Sequence, residues 1–143
     1  GLEMARFYTS LLPDSRIEGA WSEDENPIIV TFTLGGAPYQ IMSVPGGEAL
    51  SNATSLSVTT EDQTETDRLW AALLADGGKE MACGWLTDKY GLCWQIVPRR
   101  LTELLSSADK DAAGRAMDAM NTMIKIDIAA LEAAATNTSK ETA

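Results

Sequence analysis

The side chains best suited to chemistry in this chain lie close together, between residues 83 and 95. Cys83 and Cys93 are the only two cysteines, and Trp85 and Gln95 accompany them. A turn over residues 87–91 would place Cys93 opposite Trp85 and Cys83 opposite Gln95, and the alternation of a strand would direct all four side chains to one face. A thiol there could act as a nucleophile. Because the chain has no histidine to activate a thiolate, packing of both cysteines as small apolar side chains is the favoured interpretation.

Composition limits the class of protein that could carry these residues. The chain has 143 residues, 45% of them hydrophobic and 22% charged, as in a single globular domain. Its net charge is −10, and an acidic surface repels phosphate backbones, so we expect no nucleic-acid partner. The sequence contains no run of about 18 apolar residues, so we expect no membrane span. It also contains no recognisable secretory signal. Two cysteines are too few for a disulfide framework, which fits a reducing compartment. A cytoplasmic location is therefore expected.

Hydrophobic periodicity and turn residues predict an alternation of helices and strands. The predicted helices cover residues 2–12, 64–74, 101–105, 109–124 and 128–135, and the predicted strands cover 16–22, 28–34, 39–44, 54–60, 79–86 and 92–97. Thr60 or Asp62 can cap the second helix, and Asp127 the last one. An acidic loop is expected over 23–27, and a disordered tail over 136–143.

Two further groups of side chains have predicted places. An apolar stripe on the fourth helix is expected to pack against the sheet or a second subunit; it comprises Ala113, Ala116, Met117, Met120, Met123 and Ile124. Trp21, Trp70 and Trp94 are expected in the core.

An internal repeat organises these elements. Residues 5–14 match 67–76 in an arginine, an aromatic residue, a Leu-Leu pair and an aspartate, and residues 36–41 match 91–96 in a glycine, an aromatic residue, a glutamine and an isoleucine. Each unit therefore has the order strand, helix, three strands. The first unit lacks its initial strand, and we expect that strand upstream of Leu2. The prediction is one domain over 1–135, with module one at 1–47, module two at 53–98 and C-terminal helices at 101–135.

Four segments resemble the PhnB-like group of the vicinal oxygen chelate (glyoxalase-like) superfamily, which is also labelled 3-demethylubiquinone-9 3-methyltransferase. They are Phe7–Ser15, Thr31–Gly36, Cys83–Pro98 and Met123–Ile128, and Cys83–Pro98 is the most specific. The resemblance implies an α+β fold in which two βαβββ modules form a curved mixed sheet around a cavity. It also implies a homodimer, for which an open sheet edge and an apolar C-terminal helix supply a physical motive.

The resemblance also suggests which residues would face that cavity. Gln40 and Gln95 align with positions that supply metal ligands in metal-dependent relatives, whereas Tyr39 and Trp94 would face the helices. Glutamine is a neutral, weak oxygen donor, so we expect no bound metal. The favoured role of the two glutamines is hydrogen bonding across the mouth of the cavity, with ligand contact as the alternative. The candidate pocket residues are Gln40, Gln95, Trp85 as an apolar wall, Cys83, Cys93, Ser55 and Ser57.

Three functions compete on this basis. The favoured one is a small-molecule-binding protein that needs neither a metal nor another cofactor. The alternative is a divalent-metal-dependent lyase, isomerase or dioxygenase-type enzyme of the same superfamily. The methyltransferase label is disfavoured, because S-adenosylmethionine sites use a glycine-rich loop between a strand and a helix. The paired glycines at 35–36, 46–47 and 77–78 do not have that pattern or context.

Overall fold

A computed structural model of the chain describes residues 1–22 and 26–137. The chain divides into two compact units, Gly1–Ala49 as unit one and a second that begins at Leu50 as unit two. The division falls between the two predicted modules. Residues 23–25 of the predicted acidic loop and 138–143 of the predicted tail lie outside the described residues; Thr136, at the start of that tail, is helical.

Unit one is a helix packed on a three-stranded antiparallel sheet. Its elements are α1 (Leu2–Thr9), β1 (Arg16–Trp21), β2 (Ile29–Leu34) and β3 (Ala37–Met42), and the strand order is β1-β2-β3. Alternate residues of β2 are buried, as the run of β-branched and aromatic residues predicts. Gly35 and Gly36 both have positive φ and form the two-residue turn between β2 and β3.

Two predictions in unit one are wrong. Helix α1 ends at Thr9 rather than Leu12, because Ser10 is its C-cap residue. The hydroxyls of Thr9 and Ser10 donate to carbonyls of the preceding turn. Trp21 is not a core residue, since 68% of its surface is exposed. It ends the edge strand β1, in register with Ile29 and on the sheet face opposite the buried residues of β2.

Unit two has the order strand, helix, three strands. The elements are β4 (Ser55–Thr60), α2 (Gln63–Leu74), β5 (Lys79–Glu80), β6 (Trp85–Thr87) and β7 (Cys93–Pro98). The sheet order is β4-β7-β6-β5; β4 runs parallel to β7, and the other neighbours are antiparallel. Asp62 caps α2 by accepting a hydrogen bond from Glu65 N, as predicted. The helix buries Leu69, Trp70 and Leu73, and the sheet buries Leu86, Trp94 and Ile96.

The predicted continuous strand over residues 79–86 is wrong. Residues 81–84 form a turn between β5 and β6, in which Cys83 and Gly84 have φ of 60° and 81°. Both backbone N–H groups donate to distant carbonyls, Cys83 to Met123 and Gly84 to Ile124. A Cβ atom on Gly84 would lie only 2.9 Å from the Ile96 carbonyl oxygen, so glycine is required there.

Three helices follow β7 and form a second core. They are α3 (Arg99–Leu105), α4 (Lys110–Met120) and α5 (Ile128–Thr136), and Asp127 caps the last one as predicted. Buried Leu101, Ile126 and Leu131 form the centre of this core, against which Val97, Met120 and Met123 pack, among others.

The prediction for α4 and its apolar stripe is partly wrong. The helix ends at Met120 rather than Ile124, so the last two stripe residues lie beyond it. Ala116 is buried and Met120 packs as expected, but Met117 and Ile124 are 41% and 47% exposed.

The predicted α+β class is confirmed, with one antiparallel and one mixed sheet and a C-terminal helical extension. Among the described residues, no helix has the length and apolar character needed to cross a membrane.

Candidate functional site

The candidate residues of unit two meet on one face of its sheet. Gln95 of β7 is in register with Ser57 of β4 on one side and with Trp85 of β6 on the other. Ser55 and Cys93 form the next register pair and point the same way, because side chains two residues apart share a face of a strand. We call these five residues the Gln95 face. The alternating residues Trp94 and Ile96 are buried on the opposite face.

A hydrogen bond fixes the centre of this face. Gln95 Nε2 donates to Ser55 Oγ over 2.8 Å, and both side chains are partly buried. Within the described structure, the bond leaves the Gln95 carbonyl oxygen as an acceptor and the Ser55 hydroxyl as a donor. Trp85 is partly buried beside them, and Ser57 is exposed. The face therefore combines a donor, an acceptor and an aromatic ring.

The predicted strand register is wrong by two residues. Gln95, rather than Cys93, lies opposite Trp85, and Cys93 lies opposite Thr87. Because the slip is an even number of residues, Trp85, Cys93 and Gln95 remain on the same face. Cys83 does not join them: it belongs to the turn before β6, where its positive φ takes it out of the strand alternation.

The two cysteines have different environments. Cys93 is fully buried, and burial raises the pKa of its thiol. A raised pKa keeps the thiol protonated near neutral pH, which agrees with the interpretation of Cys93 as a small apolar side chain. Cys83 is partly exposed and is also a thiol without a disulfide.

Sequence reasoning missed Asp88, the carboxylate that shapes the turn between β6 and β7. Its side chain is only 3% exposed. Oδ1 accepts from Tyr90 N at 2.8 Å and Leu92 N at 3.1 Å, and Oδ2 accepts from Trp94 Nε1 at 2.9 Å. An aspartate before a Gly-containing turn suggests an Asx turn, but its burial is not visible in the sequence. Asp88 thus holds the hairpin that carries Trp85 and Gln95.

In unit one, Gln40 lies on β3 in register with Thr31 of β2 and is exposed. Its neighbour Tyr39 points to the other face, where it stacks on Phe32 with ring centroids 5.7 Å apart. Phe32 in turn lies 6.4 Å from the ring of Tyr8 on α1. The expectation that Tyr39 faces the helix is confirmed.

The donors on the Gln95 face fit a divalent cation poorly. Ser55, Ser57 and Gln95 offer neutral oxygens, and none of the five residues is a carboxylate or a histidine, the ligands that such cations prefer. Over residues 1–22 and 26–137, no group of three or more acidic, cysteine or histidine side chains is arranged to hold a metal ion.

Two concavities lie among the helices of unit two and are lined by other residues. One, of about 560 Å³, is lined by the N-terminal ends of α2 and α5. It contains two ion pairs: Lys125 bonds Asp67, which lowers the pKa of that carboxyl, and Arg100 bonds Glu132. The other, of about 790 Å³, runs along α4 and the end of α5.

Comparison with known proteins gives a family. The family described as 3-demethylubiquinone-9 3-methyltransferase matches residues 2–97. No curated protein gave a significant match.

One solved structure supports that family, and others are similar at lower identity. A PhnB protein from Bacillus cereus that carries the same methyltransferase label is 34% identical, with a TM-score of 0.61 over 68% of this chain and 89% of its own. A Pseudomonas aeruginosa protein has the same fold at 19% identity, with a TM-score of 0.53 over 67% and 86% of the two chains. A glyoxalase/bleomycin resistance protein from Albidiferax ferrireducens matches at 21% identity, with a TM-score of 0.46 over 69% and 91%. The chain belongs to the 3-demethylubiquinone-9 3-methyltransferase family and is similar to a PhnB protein of that family.

Proposed function

We propose that this PhnB-like protein binds a small molecule on the Gln95 face of unit two without the help of a metal ion. The observation that carries the proposal is the 2.8 Å hydrogen bond from Gln95 to Ser55 on a partly buried face beside Trp85. A few fixed polar groups next to an aromatic wall are typical of small-molecule sites.

The chemistry of the face indicates the class of ligand. The Gln95 carbonyl accepts a hydrogen bond and the Ser55 hydroxyl donates one, so a ligand with one donor and one acceptor would satisfy both. The Trp85 ring offers a flat apolar surface. A net charge of −10 disfavours anionic ligands. We therefore expect a neutral or cationic molecule with a planar apolar part.

The methyltransferase label does not guide this proposal. Gly35–Gly36 forms the hairpin turn between β2 and β3, Gly46–Gly47 follows β3, and Gly77–Gly78 lies between α2 and β5. None of these pairs connects a strand to a following helix, which is where a glycine-rich S-adenosylmethionine loop is placed. Calorimetry with S-adenosylmethionine tests the label directly, and binding heat there would favour methyl transfer over the proposed function.

A thermal-shift screen of neutral and cationic aromatic compounds tests the proposal. A compound that binds only the folded state raises the unfolding midpoint. For a confirmed binder, Gln95→Leu and Ser55→Ala should each weaken affinity about tenfold, the loss expected for one hydrogen bond of about 1.4 kcal/mol. Thr102→Ala, at an exposed position of α3, is the matched control and should bind as the wild type does.

Two results would contradict the proposal. Equal affinity in all three variants would place the ligand elsewhere. Stoichiometric metal in the purified protein, with ligand binding lost on its removal, would favour the metal-dependent alternative.

A further inference from the structure

Val97 lies on the same face of unit two as Gln95, one step further along β7. The two residues are two positions apart in the strand, so their side chains share a face and their Cα atoms are about 7 Å apart. Trp85 is opposite Gln95 on β6, which makes Val97 its diagonal neighbour across the two strands. Val97 and Trp85 therefore form an apolar corner beside the hydrogen-bonded pair of Gln95 and Ser55.

The C-terminal helices close the face at Val97. This residue is partly buried and packs on a buried cluster that we call the C-terminal core, which comprises Leu101, Ile126 and Leu131. Since Val97 points the same way as Gln95, the C-terminal core lies on that side of the sheet at this end of β7. The face therefore ends against close-packed side chains, which yield little to a longer ligand.

The neighbouring strand β6 is closed at the same level. Just before this strand, the Cys83 N–H donates to the Met123 carbonyl over 2.8 Å. The Gly84 N–H donates to the Ile124 carbonyl over 2.7 Å. Met123 also packs on the C-terminal core. The segment between α4 and α5 therefore runs across the end of β6, next to Trp85.

The side of the face formed by β4 is open. Ser57, which is in register with Gln95, is exposed, and so is Thr59, which is in register with Val97. In the described part of the chain, β4 is an edge of the four-stranded sheet. A ligand held by Gln95 can therefore extend past β4, whereas Val97 stops it along β7.

We propose that Val97, held in place by the C-terminal core, limits the ligand of the Gln95 face to a single aromatic ring. The inference rests on the proposed function. The polar group of the ligand pairs with Gln95 and Ser55, and its ring lies in the corner of Trp85 and Val97. The distance of about 7 Å between Gln95 and Val97 along the strand accommodates one six-membered ring and little more. A primary carboxamide on that ring supplies both a donor and an acceptor.

The test compares benzamide with 4-isopropylbenzamide, which is bulkier at the end of the ring opposite the carboxamide. Dissociation constants are measured by NMR titration. The wild type should bind benzamide about tenfold more tightly, because the isopropyl group meets Val97. Val97→Ala removes two methyl groups from this wall and should abolish the preference. Val58→Ala removes the same two groups from β4 and should keep the preference, since Val58 is in register with Ile96 on the opposite face.

A second variant guards against a loss of folding. Val97→Ala thins the packing on the C-terminal core, whereas Val97→Ile keeps that core filled. The additional methyl group of Val97→Ile shortens the site, so benzamide itself should bind more weakly than to the wild type. The thermal midpoint of each variant shows whether it is folded at the temperature of the titration.

Three results would overturn the inference: no binding of benzamide, equal affinity of the wild type for both compounds, or a preference that survives in folded Val97→Ala. Loss of the preference in Val58→Ala would also overturn it, because the cause would then be a general loosening of the sheet. Failure of the proposed function gives a different result. Benzamide binding that is unchanged in Gln95→Leu refutes that function, whereas binding that depends on Gln95 but not on Val97 refutes only the size limit.

Discussion

Replacing Asp88 by alanine should destabilise unit two by about 3–5 kcal/mol. The carboxylate is 3% exposed and accepts three hydrogen bonds, two from backbone N–H groups and one from Trp94 Nε1. Hydrogen bonds to a charged group contribute about 1.5–3 kcal/mol each. The bond to the buried Trp94 is lost in full, whereas the partly buried backbone donors regain water, which gives the stated range.

A conservative replacement at the same position should cost less. Asp88→Asn keeps an oxygen for the two backbone donors, but its amide N–H₂ would face Trp94 Nε1 and cannot accept from it. We expect a loss of about 1–3 kcal/mol. The control is Asp76→Asn, at an aspartate whose side chain is 77% exposed and forms an ion pair with Lys89 over 3.5 Å. Surface ion pairs contribute about 0–1 kcal/mol.

Urea unfolding measured by both circular dichroism and tryptophan fluorescence provides the free energies. Coincident transitions are needed first, because they show that a two-state analysis applies. Asp88→Ala should lower the free energy of unfolding most, Asp88→Asn less, and the control Asp76→Asn least. If Asp88→Ala lies within about 1 kcal/mol of the wild type, the assignment of Asp88 as the residue that holds this hairpin is refuted.

Three further outcomes are expected. Thr66→Val should destabilise the protein by about 1–3 kcal/mol in urea unfolding, because it leaves the buried Thr60 hydroxyl without its 2.7 Å partner; adding Thr60→Val should recover part of the loss. A mild alkylating reagent at pH 7.5 should label the partly exposed Cys83 first and reach Cys93 only when the protein unfolds. Rapid labelling of Cys93 in the native protein would contradict its burial. The pKa of Asp67 is lowered, mainly by the hydrogen bond from its lysine partner, so this pair stabilises the fold above the ordinary aspartate pKa and the contribution is lost as pH falls through the lowered one. Asp67→Asn should therefore flatten the decline of the thermal midpoint between about pH 5 and pH 3, and an unchanged decline would show that the pair contributes little.

Elements controlled by local chemistry could be predicted from the sequence. Strand β2 follows from its run of β-branched residues, and helices α2 and α5 follow from the capping aspartates Asp62 and Asp127. The shared face of Trp85 and Gln95 follows from strand alternation alone, because an even slip in register leaves it intact.

Elements set by distant contacts could not be predicted. The turn at Cys83 and Gly84 depends on carbonyls about forty residues later in the chain. The local sequence pattern of residues 79–86 therefore could not predict it. The exposure of Trp21 depends on its place at the end of an edge strand, which composition does not reveal. The burial of Asp88 likewise follows from how β6 and β7 pair.

The bonds that join this turn to Met123 and Ile124 bear on how the chain can be divided. The family match ends at residue 97, yet the backbone that completes the turn before Trp85 comes from beyond it. Val97, the last matched residue, packs on the core formed by Leu101, Ile126 and Leu131. The family match therefore ends inside unit two, before residues that its turn and core depend on. A chain cut after Pro98 would keep all of residues 2–97, which the family matches, and lose the carbonyls that bond the turn before the Gln95 face.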